Sequence, residues 1–262
     1  CEASFLATHA RDERGRFLVT LPTRPCINQL ENSLARAEKR FKNLERKLSS
    51  DKELKSKYVQ FMKEYKELGH MEECDKLEGD LKSYFLPHHA VRKESSTTTN
   101  LRVVFDGSAK TSSGISLNDA LMVGPVIQRD LYTQLLRFRK HRYVITADIE
   151  KMYRQINLSA ADRKLQKIVW REEPEDELRH YHLKTVTYGL GPSSFLATRC
   201  LRQILFYLFF YYFFIFYFFF LNPLFFPILH FIVTYFRYNK NNGNPLRRSL
   251  CVGNIIVKYI LF

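Results

Sequence analysis

The sequence predicts a mixed α+β fold with an antiparallel sheet, and three observations set that reading and its limits. Two segments near the front repeat apolar residues at helical spacing. The middle of the chain alternates short apolar runs with helical patterns and turn residues. From Ile204 to Phe236, 33 residues carry no charge and follow neither the helical nor the strand period. This last stretch marks an aromatic-rich apolar tail unrelated to the fold before it.

In chain order, "GRFLVTLPTRP" (15–25) reads as a short strand running into a loop punctuated by proline. A first helix follows, with Leu30, Leu34, Ala37, Phe41, Leu44 and Leu48 on one face and Asn28 with Glu31 as a capping box. A second starts at Ser50-x-x-Glu53, carries Leu54, Tyr58, Phe61, Met62, Tyr65 and Leu68 on one face, and stops at Gly69. Tyr84–Leu86 and Leu101–Phe105 read as strands around a polar, basic loop. Beyond a turn at Gly124-Pro125, a helix with Leu131, Leu135 and Phe138 inward is expected. Next come an uncharged strand from Tyr143 to Ala147 that ends on Asp148, a polar helix at 159–164, and strands "KIVW" (167–170) and "YHLKTVT" (181–187). The domains this implies are 1–83 (strand and helical hairpin), 84–203 (mixed domain) and 204–262 (tail).

The 262 residues carry a net charge of +14, unevenly spread. Residues 31–83 hold 13 basic and 12 acidic groups, whereas 84–203 hold 19 and 12, and 204–262 hold 5 and none. A basic central domain suits a polyanion such as nucleic acid, and it equally suits a solvated surface. The helical hairpin, near neutral in sum, reads as packing alone. Five cysteines with no C-x-x-C indicate neither a zinc site nor a disulfide framework, so a reducing intracellular setting, cytoplasmic or nuclear, is expected. The start has no signal-peptide pattern, and Cys1 in place of Met suggests a piece of a longer product. The 204–236 run exceeds the ~20 residues that span a bilayer, which leaves membrane association as an alternative. Asn222, Pro223, Pro227 and His230 interrupt it.

An acid at the end of a buried strand in a basic domain is placed to hold a divalent metal against a phosphate. On spacing alone, an N-cap is the commoner role for Asp148.

The phrases around it add to that reading. They are "ERGRFLVTLP", "RFKNLERKL", "YVQFMKEYKELGHM", "YFLPHHAV", "LRVVFDGSAKT", "SLNDALMVGP", "ADIEKMYRQI", "KIVWR" and "VTYGLGPSSFLATRCL". Together, from about Gly15 to Cys200, they resemble the reverse transcriptase region of BEL/Pao-type retrotransposon polyproteins. The resemblance implies fingers and a partial palm behind an N-terminal helical segment. It implies an RNA-directed DNA polymerase that uses Mg²⁺, with an RNA or DNA primer–template and deoxyribonucleotides as partners. By the same resemblance, Asp148 would be the first metal-binding, catalytic aspartate, and the carbonyl of Ile149 would reach the metal. Tyr153 would lie under the sugar and exclude a 2′-hydroxyl. Arg102 would pack on base and phosphates, with Arg92 and Lys93 adding positive charge. Tyr188 and Gly189 would belong to the segment beside the nucleotide. Ser194 departs from the proline usual before the aromatic.

That family carries its other two metal acids in a Tyr-x-Asp-Asp hairpin further on. Here the 85 residues after Glu177 contain no Asp or Glu, and the resemblance stops near Arg202. The expectation is therefore a fragment inactive as written. Two alternatives stand beside it: a membrane-associated protein, and a residual nucleic-acid-binding module.

Overall fold

Local apolar spacing fixes the helical hairpin, and distant partners decide where its helices begin. The computed structural model describes residues 1–74, 83–92, 101–140, 145–220, 248–252 and 255–261. In chain order these form α1 (Glu2–Thr8), β1 (Ala10–Arg11), β2 (Phe17–Val19), α2 (Leu34–Ser50), α3 (Lys52–Glu67), β3 (Met71–Cys74), β4 (His88–Arg92), β5 (Leu101–Phe105) and α4 (Leu117–Ala120). Then come α5 (Leu131–Lys140), β6 (Ile145–Ile149), β7 (Asn157–Leu158), α6 (Ala160–Arg163), β8 (Lys167–Trp170), β9 (Arg179–Leu183), α7 (Ser193–Phe220), β10 (Arg248–Val252) and β11 (Ile255–Leu261). The architecture is mixed α+β. It divides into two compact units, residues 1–126 with 151–197, and 127–150 with 198–262. The sequence boundaries at 83/84 and 203/204 coincide with neither.

In the first unit, β1, β2 and β7 form one small sheet, β3, β9 and β8 a second, and β4 pairs with β5 as a hairpin. The pairings are antiparallel except β2 with β7. α2 buries Ala37, Phe41, Leu44 and Leu48, and α3 buries Leu54, Tyr58, Met62 and Tyr65, as their spacing predicts. These faces pack on β8 and β5, so the hairpin is part of the core rather than a separate domain. Leu68 of the predicted face is exposed, because Gly69, at φ 69°, turns the chain away after it.

Both predicted caps are displaced. Residues 25–29 form a 3-10 turn and α2 starts only at Leu34, since Glu31 accepts a hydrogen bond from the Ser112 hydroxyl. Ser33 does not cap the helix; its hydroxyl bonds the backbone of Phe85, donating to the carbonyl at 3.0 Å and accepting from the N–H at 2.6 Å. The cap of α3 is Asp51, whose Oδ1 accepts from the N–H of Leu54 at 2.9 Å. Tyr84–Leu86 makes an isolated bridge from Phe85 to Lys167 rather than a strand.

Phe41, Tyr58, His88 and Trp170 form an aromatic cluster at the centre, with ring centroids 5.5–6.1 Å apart. His88 donates from Nε2 to the carbonyl of Val169 at 2.9 Å, so Nδ1 accepts from the Tyr58 hydroxyl at 2.5 Å. Complete burial keeps this imidazole neutral, with a pKa lowered to about 4.

In the second unit, β6 pairs antiparallel with β11, and β11 with β10. The tail, expected to be unrelated to the fold before it, thus returns a hairpin to the strand carrying Asp148. α7 runs through residues 204–220, where sequence periodicity predicted no element. α5 forms as expected, but Leu131, Leu135 and Phe138 are exposed rather than inward. Its spacing is helical, yet no described residue of this unit covers that face. Tyr143 lies outside the described residues. Among the described residues, no helix is long and apolar enough to cross a membrane.

Candidate functional site

Tyr153 stands on a 3-10 turn, Met152–Gln155, entered through Lys151 in the left-handed region at φ 51°. A non-glycine residue holds that conformation when its surroundings over-determine it, and here they do. Lys151 Nζ reaches Glu64 Oε1 of α3 at 2.5 Å, and Arg154 Nη1 reaches the same oxygen at 3.2 Å. The Lys151 ammonium, reinforced by Arg154, holds the Glu64 carboxyl below its usual range against a smaller opposing effect of burial. The Arg154 guanidinium also lies 4.9 Å from the ring centres of Phe61 and Tyr65. From the front of the chain, Arg16 donates to the carbonyls of Arg154 and Gln155, which caps the end of the turn. Burial lowers the pKa of that guanidinium, with Asp12 opposing.

The Tyr153 ring rests against Tyr188, with centroids 4.6 Å apart and planes 33° apart. Tyr188 is tied to the end of β5: its carbonyl accepts from the N–H of Phe105 at 3.3 Å. Gly189 follows at φ 102°, and a Cβ there would lie 1.9 Å from the carbonyl oxygen of Phe105, so only glycine fits. Asn118 of α4 fastens the turn from both sides. Its Nδ2 donates to the Gly189 carbonyl at 3.0 Å and to Ser108 Oγ at 2.9 Å, and its Oδ1 accepts from the N–H of Gly191 at 2.9 Å. α4 is held by a capping box between Ser116 and Asp119.

Of the residues singled out in the sequence, Tyr153, Tyr188 and Gly189 therefore meet at one place, beside the end of β5. Arg102 lies on β5 three residues before Phe105, about 10 Å along the strand. It is exposed, and its side chain has no hydrogen bond or ion pair among the described residues. Asp106, its companion in the motif, is engaged by Arg40 of α2 at 2.5 Å instead. Lys93 lies outside the described residues, and Arg92 ends β4.

Asp148 and Ile149 belong to the second unit. They close β6, opposite Lys258 and Val257 of β11. Asp148 is exposed and caps no helix, since the next helical turn has Lys151 at its N-cap position. Among the described residues no group of three His, Cys, Asp or Glu side chains could hold a metal ion. Mg²⁺ in a two-metal site needs several converging carboxylates. The hairpin beside Asp148 offers a lysine in register and no acid, so the residues present do not fit that ion pair.

Arg16, Glu64 and Asn118 were not singled out from the sequence as site residues. Asn118 lies inside the phrase "SLNDALMVGP", which was its one signal. Arg16 and Glu64 likewise lie inside "ERGRFLVTLP" and "YVQFMKEYKELGHM", but neither phrase gave them a role, because their partners lie 138 and 87 residues away. No protein-family model matches this chain, and no curated protein is significantly similar to it.

Proposed function

We propose that the chain is a remnant of a BEL/Pao-type reverse transcriptase, with a nucleotide-contacting surface and no competent metal site. The observation that carries this reading is the Tyr153–Tyr188 contact, fastened to the end of β5 through Gly189. A ring set under a sugar excludes a 2′-hydroxyl only if its own position is rigid, and this one is braced from α3, β5 and the front strands. The proposed partners are an RNA or DNA primer–template and deoxyribonucleotides, in an intracellular setting.

The antiparallel hairpin on β6 supports the reading in a second way. By the resemblance, the other two acids lie in a Tyr-x-Asp-Asp hairpin, and a two-metal site needs them to converge on the first aspartate. The segment Cys251-Val252-Gly253-Asn254 has that length, with Cys for Tyr and with Gly and Asn for the two acids. Gly253 and Asn254 lie outside the described residues; they are the two residues between the paired Val252 and Ile255. In this reading the acids are replaced rather than deleted, and the stretch unrelated to the family is confined to residues from about 203 to 247.

The test is Mn²⁺ binding followed by electron paramagnetic resonance. The chain should give no saturable site, and Gly253→Asp with Asn254→Asp should create one that Asp148→Asn removes. Primer extension by the unaltered chain, lost on Asp148→Asn, would overturn the proposed inactivity. Failure of the double variant to bind Mn²⁺ while remaining folded would overturn the assignment of the hairpin.

A further inference from the structure

The near-neutral charge of residues 31–83 conceals a segregation. α2 carries Arg36, Lys39, Arg40, Lys42, Arg46 and Lys47 against only Glu38 and Glu45, and all six cations are exposed. At 100° per residue they fall on one side of the helix, opposite the buried Ala37, Phe41, Leu44 and Leu48. Arg40 is paired with Asp106, at the end of β5. The other five have no hydrogen bond or ion pair among the described residues. Glu45 does not offset them, because Arg171 of the core side takes both its oxygens, at 2.7 and 3.0 Å.

We infer that this face of α2 is a docking surface for the phosphate backbone of a nucleic-acid strand. The stripe from Arg36 to Lys47 is about 16 Å long at 1.5 Å per residue, a length that meets several consecutive phosphates. Charge complementarity selects a polyanion, and the composition of the helix selects a nucleic acid over a lipid surface. Membrane-lying helices present large apolar side chains beside their cations. On α2 those side chains are turned into the core, and none is exposed. The inference extends the proposed function in one respect, since it makes the bound strand the template or primer of that reading. The surface itself stands without it.

The experiment is fluorescence anisotropy of a labelled single-stranded oligonucleotide with the full chain. Arg36→Gln, Lys39→Gln, Lys42→Gln and Arg46→Gln are combined in one variant. A charge-matched control combines Arg129→Gln, Arg137→Gln, Arg139→Gln and Lys140→Gln, all on exposed positions of the other unit. The α2 variant should bind at least about tenfold more weakly at low salt. Its slope of log affinity against log salt should shrink by about 0.7 for each phosphate that is no longer neutralised. The control should change neither by more than about twofold. Equal losses in both variants would mean that net charge alone drives binding, and would overturn the surface. So would α2-dependent binding to vesicles containing phosphatidylserine by a chain that ignores the oligonucleotide. Loss of oligonucleotide binding in the α2 variant, alongside a failed Mn²⁺ test, would keep the surface and discard the hairpin assignment of the proposed function.

Discussion

Tyr153 and Tyr188 lie ring against ring, 4.6 Å between centroids, although they come from separate turns 35 residues apart in the chain. Neither ring is placed by its own turn alone. Tyr188 is set by the close approach of Gly189 to Phe105, and Tyr153 by cations that bridge to α3 and to the carbonyls of its own turn. Each support makes a separate prediction.

Gly189→Ala should be among the most damaging single substitutions in the first unit. The new Cβ would meet the Phe105 carbonyl at 1.9 Å in a backbone conformation that L-residues avoid. A loss of at least about 3 kcal/mol is expected from combined strain and overpacking. Denaturant midpoints measure it. A loss below about 1 kcal/mol would mean that the turn does not approach β5 as closely as described.

Arg16→Gln should loosen the turn under Tyr153 without melting the core. Two charge-assisted hydrogen bonds to carbonyls would be lost, about 1–3 kcal/mol in this half-buried setting. Hydrogen exchange should quicken at the amides of Arg154 and Ile156, which close that turn, and stay slow in β8. Unchanged exchange at both amides would show that Glu64 alone suffices.

His88 makes stability pH-dependent. Its pKa is about 4 when folded and near 6.5 when unfolded, so the unfolded chain binds the extra proton between those values. Stability should hold above about pH 6.5, fall as pH drops through the window, and stop falling on this account below about 4. His70, also lowered to about 4 chiefly by burial, contributes with the same sign. The slope approaches about 1.4 kcal/mol per pH unit for each histidine. In His88→Gln, unfolding midpoints between pH 6.5 and 5 should show a shallower slope. An identical slope would place the dependence elsewhere.

Leu205, Phe206 and Phe210 of α7 are each more than half exposed. Contiguous apolar surface of this kind drives association. Leu205→Glu with Phe206→Glu should raise the concentration at which the chain stays monodisperse in light scattering. No change would indicate that the face is already covered.

What the sequence determined by itself is what depends on neighbours a few residues apart. The inner faces of α2 and α3, the stop at Gly69 and the strand at Leu101–Phe105 all follow from local period and backbone preference. The absence of any acid after Glu177 is likewise a fact of sequence, and it limits any metal site whatever the fold. Tertiary structure alone decided the rest. Asp51 rather than Ser50 caps α3, and Ser33 was drawn off to Phe85. The stripe on α2 emerged only when the core claimed one side of the helix and Arg171 claimed Glu45. The pairing of Asp148 with Lys258, 110 positions away, rests on backbone hydrogen bonds between strands, which carry no side-chain signature that a reading along the chain detects. For the same reason Arg16 was given no role in the sequence. A guanidinium that caps carbonyls 138 residues distant has no local pattern to announce it.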